Sequence, residues 1–136
     1  MKALLRRLLK MQFRKKSRFK VKKGVFVSFE NFLSKNQVGD ISMGGLSFYY
    51  EDRGIKLGRG ASALKVITRN GHVVEHIPFK TVSDKEAGEL IFKNKKIKRQ
   101  GLKFGRLTMR QKSMIKIIIK DWRVPEDQKN HSFFIR

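Results

Sequence analysis

Asp40-Ile-Ser-Met-Gly-Gly-Leu-Ser-Phe48 contains D-x-S-x-x-G, as Asp40, Ser42 and Gly45. Upstream, Arg14-Lys-Lys-Ser-Arg18 contains R-x-x-x-R, as Arg14 and Arg18. The strand-like run Gly24-Val-Phe-Val-Ser-Phe29 lies between them. An arginine presents a planar fork of donors that matches phosphate oxygens. Arg14 and Arg18 share a face in a helix or a strand, because both periods nearly repeat at a spacing of four. A carboxylate repels phosphate, so Asp40 beside two arginines suits a donor-rich group such as the Watson–Crick edge of guanine. Ser42 can donate or accept. Gly44 and Gly45 let a ligand approach the backbone. The structural alternative for each piece is plain: a solvated basic face for R-x-x-x-R, and a side-chain-stabilised turn for D-x-S-x-x-G.

Order and spacing join the two motifs. The gap between Arg18 and Asp40 accommodates one strand out and a loop back, so the motifs can meet in space. This arrangement resembles the signature of PilZ domains, the small bacterial receptors for cyclic di-GMP (c-di-GMP). The resemblance covers residues 13–122. It implies an all-β fold, a six-stranded antiparallel barrel with a C-terminal helix and a short N-terminal basic helix or arm. It also implies a ligand-binding set of Arg14 and Arg18 as a clamp, with Asp40, Ser42 and Gly45 on the barrel. Phe13 stands where many members carry a further arginine, which leaves extra charge to Lys15 or Lys16. The output implied is a changed surface offered to a downstream protein partner, with no chemistry on the nucleotide.

Bulk properties bound the rest. A chain of 136 residues is one domain by length. It has no cysteine, which excludes disulfides and thiolate metal sites and fits a reducing cytoplasm. No apolar run approaches the roughly 20 residues of a membrane span. Lys and Arg number 33 against 11 Asp and Glu, a net charge of +22. Such a field attracts polyanions. The charge is concentrated in residues 1–23, which carry no acid, and again in residues 93–112.

Residues 1–12 place Leu4, Leu5, Leu8 and Met11 at helical spacing. They read as a basic amphipathic helix that packs on the domain or lies on an anionic membrane. Strands are expected at residues 22–30, 46–51, 55–60, 63–69 and 72–82, with a hairpin turn at Asn70-Gly71. Residues 31–37 and 83–96 read as loops, and residues 97–107 as the last strand. Thr108-Met-Arg-Gln111 fits a capping box. It opens a helix with Ile115, Ile118, Ile119 and Trp122 as its apolar stripe, flanked by Met114 and Ile117. Residues 123–136 form a polar tail ending in Phe133-Phe134-Ile135.

His72 and His76 share a strand face but lack further ligands, so neither a metal site nor a cofactor is expected. No catalytic constellation stands out, which favours a binding module over an enzyme. Two other functions compete with the c-di-GMP receptor. One is a basic nucleic-acid-binding protein, in which Phe19, Phe26, Phe29 and Phe32 stack bases rather than fill the core. The other is a PilZ-like interaction module that does not bind the dinucleotide.

Overall fold

Alternation of apolar and polar residues sets several of the strands, and their inward residues form a single core. The computed structural model describes residues 17–30, 34–52, 60–92 and 95–125. The helix expected at 1–12, Phe13, Arg14, all but Gly60 of the strand expected over 55–60, and the tail from 126 onward lie outside the described residues. The strands are β1 (Phe19–Lys20), β2 (Val25–Phe29), β3 (Asn36–Ile41), β4 (Gly45–Glu51), β5 (Ala63–Thr68), β6 (Val73–Phe92) and β7 (Lys95–Phe104). One helix follows, α1 (Met109–Trp122).

Every pairing is antiparallel. The order β3-β2-β5-β6-β7-β4 returns to β3, so six strands close into a barrel. Closure leaves the ring without a free edge. β1 adds to β3 on the edge that β2 also uses: β2 pairs Asn36 and Gln37, and β1 pairs Asp40 and Ile41. Val25, Val27, Phe29, Leu46, Phe48, Leu64, Val66 and Ile77 fill the interior. The Phe29 ring lies 5.6 Å from that of Phe48 and 5.2 Å from that of Phe79. Phe29 is therefore a core residue and not a base-stacking one.

Parts of two expected loops are strands: Asn36 and Gln37 from the loop at 31–37, and residues 83–92, 95 and 96 from the loop at 83–96. Asn36–Ile41 returns antiparallel to β2 as β3, with Val38 and Ile41 buried. Residues 83–92 continue β6, paired with β7 as far as Phe92↔Lys95. The charges of this stretch obscure its period: Ser83–Glu86 are strand because they pair with β7 residues that β4 pairs on the other side, not because apolar residues alternate.

The Asn70-Gly71 turn is present. Gly71 N donates to Thr68 O at 3.0 Å, and Gly71 adopts φ +96°. This is a turn followed by a left-handed glycine, a common hairpin closure. α1 has the full capping box: Gln111 N donates to Thr108 Oγ1 at 3.1 Å, and Thr108 N to Gln111 Oε1 at 2.9 Å. Ile115, Ile118 and Ile119 bury against the barrel, whereas Ile117 faces outward. Trp122 packs on Gly24, where a Cβ would sit 2.5 Å from the indole ring.

Candidate ligand-binding groove

The D-x-S-x-x-G segment is the end of β3 and the turn into β4. Ser42 N donates to Gly45 O at 2.8 Å, and Gly44 N donates to Ser42 Oγ at 3.1 Å. Ser42 is buried and stabilises its own turn. Gly45 is constrained from the other side. A Cβ there would fall 2.0 Å from the carbonyl oxygen of Leu102, across the β4–β7 ladder. The structure thus accounts for the serine and the second glycine by backbone geometry, whatever else they touch.

This turn forms one wall of an open groove of about 1600 Å³. The far walls are the end of β7 with the Gly105–Leu107 connection, and the first turn of α1. Arg18 and Ser17 enter from the segment just before β1. Among the described residues, Arg18, Lys103, Arg106 and Lys112 supply four cations, all exposed, and no acidic side chain lines the groove. Met43, Leu107 and Met109 contribute apolar surface, and Met109 is 76% exposed. The first turn of α1 contains no acidic residue, although it carries the positive end of the helix dipole and includes Arg110. Cations at that end repel the dipole in the free protein. The arrangement becomes favourable when an anion occupies the groove.

Asp40 is placed differently from Ser42 and Gly45. It does not line the groove. Its Oδ2 accepts from Arg99 Nη2 at 2.6 Å, and the same nitrogen reaches Ser47 Oγ at 3.1 Å. Asp40 Oδ1 is buried and has no hydrogen-bond partner among the described residues. The Arg99 guanidinium also lies 6.0 Å from the centre of the Tyr49 ring. Arg18, Ser42 and Gly45 therefore meet at one groove, while Asp40 sits on the adjoining outer face of the sheet under Arg99. Arg14 is outside the described residues.

The sequence reading missed Arg99, Lys103, Arg106 and Lys112. All four were visible as part of a basic run, but only pairing of β7 with β4 and capping by α1 assign them to this side. Elsewhere, Tyr50 donates to Asp84 Oδ1 at 2.6 Å, and Lys98 Nζ lies 3.5 Å from the same oxygen. Burial, and then the Asp84 carboxylate, push the Tyr50 phenol well above its ordinary pKa. His76 meets Glu30 at 3.2 Å and Glu75 at 3.5 Å, both at the surface. The described residues contain no cluster of potential metal ligands. No described helix is long and apolar enough to cross a membrane.

No protein-family model matches the chain, and no curated protein matches it either. Among solved structures, the chain is similar to the crystal structure of the Borreliella burgdorferi PlzA protein in complex with c-di-GMP. The TM-score is 0.55 at 10% sequence identity, over 88% of this chain and 58% of that one. The chain thus spans little more than half of that protein's length. At this identity the likeness concerns the fold: a closed six-stranded antiparallel barrel with a C-terminal helix, the PilZ-like architecture.

Proposed function

We propose that the protein is a c-di-GMP receptor whose ligand sits in the groove between the Ser42–Gly45 turn, Arg18 and the start of α1. The observation that carries this reading is the convergence of Arg18 with the Ser42–Gly45 turn on one acid-free groove. Its four cations suit two phosphates, and Met43 and Met109 offer apolar surface to a purine. The neighbouring fold that holds c-di-GMP supports the same ligand class. Arg14 would complete the clamp from the preceding segment. Asp40 stands beside the groove under Arg99, and would accept from a guanine edge that reaches past the groove wall and displaces Arg99 from its carboxylate. Binding would alter the surface around the arm, which is what a protein partner would read.

Calorimetric titration with c-di-GMP, beside GMP, tests the reading. A charge-assisted hydrogen bond contributes about 1.5–3 kcal/mol. Arg18→Ala should therefore weaken c-di-GMP binding by roughly tenfold or more. Asp40→Ala should weaken it as well, because guanine donors lose their acceptor. Unchanged affinity in both variants would overturn the assignment.

A further inference from the structure

We infer that the outer face of α1 is a second binding surface, which takes the phosphate backbone of duplex nucleic acid. Lys112, Lys116 and Lys120 are exposed and four residues apart, so they stand in one line along the helix. Lys112 borders the groove described above, with Lys103 and Arg106. Lys120 borders a smaller groove at the other end of the helix, with Lys22 and Arg123. Three separate stretches of sequence thus supply one continuous basic band.

The described ion pairs use Lys98, Arg99 and His76. The lysines of the band have no anionic partner among the described residues. Like charges four apart on a helix repel, and the only acid on α1 is Asp121. A face built for solubility would intersperse both signs. This one is arranged for an extended polyanion.

The chemistry of the band selects among polyanions. The apolar stripe of α1 is buried in the barrel, and Met109 and Ile117 alone among its large apolar side chains are exposed. The helix therefore lacks the apolar face that interfacial insertion requires. No exposed aromatic ring stands on α1, so the stacking platform of a single-strand binder is missing. Long, flexible, unpaired lysines fit a regular phosphate array, read without regard to base sequence.

The test is fluorescence anisotropy of a short random-sequence DNA duplex over a series of salt concentrations. Each phosphate contact contributes about 0.9 to the slope of log affinity against log salt. Lys116→Gln with Lys120→Gln should lower that slope by about two. Lys65→Gln with Lys85→Gln removes the same charge from β5 and β6 and should leave the slope nearly unchanged. Equal slopes in the two double variants would overturn the proposal. So would parent protein that binds phosphatidylserine vesicles but not the duplex. Lys116 and Lys120 do not line the groove at the Ser42–Gly45 turn. The Lys116→Gln, Lys120→Gln variant should therefore keep the parent's response to c-di-GMP, and failure of either reading leaves the other standing.

Discussion

At the scale of single residues, Gly45 and Tyr50 carry the clearest consequences. A methyl group at Gly45 would meet the Leu102 carbonyl at 2.0 Å, a backbone atom that cannot rotate away. Gly45→Ala should cost about 1–3 kcal/mol or more through forced separation of β4 and β7. Urea melts would show a lowered midpoint at unchanged slope. The loss should appear without any ligand, which separates this role of the glycine from a role in binding. Tyr50 favours its neutral form in the fold, so its pKa is raised relative to the unfolded chain. Its contribution to stability is therefore full below the ordinary tyrosine value of about 10 and falls as pH rises above it. Tyr50→Phe should cost about 1 kcal/mol at neutral pH, through the lost bond to Asp84. Melts at neutral and strongly alkaline pH should then show a smaller alkaline loss in the variant than in the parent.

At the scale of elements, α1 is held at its start by hydrogen bonds and along its length by packing. Besides its role in the capping box, Gln111 donates through Nε2 to the carbonyls of Glu75 at 2.9 Å and His76 at 3.1 Å. His76 sits at φ +58°, a left-handed conformation in the irregular stretch of β6 opposite Leu64–Val66. The helix start thus braces a bulge in the longest strand. Thr108→Ala should cost about 1 kcal/mol through the lost cap. Gln111→Ala should cost more, because it also leaves the two carbonyls without this donor. Thermal melts of the pair would show the larger drop in Tm for Gln111→Ala. Equal drops would mean that the bulge does not depend on the helix.

At the scale of the whole molecule, the arm that carries Arg18 is tied to both the motif strand and the end of α1. Phe19 and Lys20 pair with Ile41 and Asp40. Lys22 N donates to Trp122 O at 2.8 Å, and Val124 N to Lys20 O at 2.7 Å. The Arg123 guanidinium lies 5.7 Å from the centre of the Phe19 ring. A ligand that engages Arg18 would therefore load a strand already joined to the segment leaving the helix. Hydrogen exchange of residues 17–21 should slow on saturation with c-di-GMP. Exchange near residues 123–125 should slow with it, since the same bonds close both segments. A net charge of +22 also makes the fold repel itself. Moderate sodium chloride should raise Tm by screening that repulsion, and a fall in Tm would show that specific ion pairs dominate instead.

The sequence alone determined the features that depend on local chemistry. The capping box and apolar stripe of α1 follow from side-chain type and spacing, as do the Asn70-Gly71 turn and the alternation in β2, β4 and β5. The resemblance carried by Arg14, Arg18, Asp40, Ser42 and Gly45 pointed to the six-stranded barrel. What needed the tertiary structure depends on partners far along the chain. β3 and the outer half of β6 are strands because other strands pair with them, and their own residues show no clear period. Arg99 reaches Asp40 across 59 residues, and no local pattern marks that pair. Lys103, Arg106 and Lys112 became one groove with Arg18 only when the barrel closed and α1 capped it. A charge run states how many cations a chain carries, but only the fold decides which of them face the same anion.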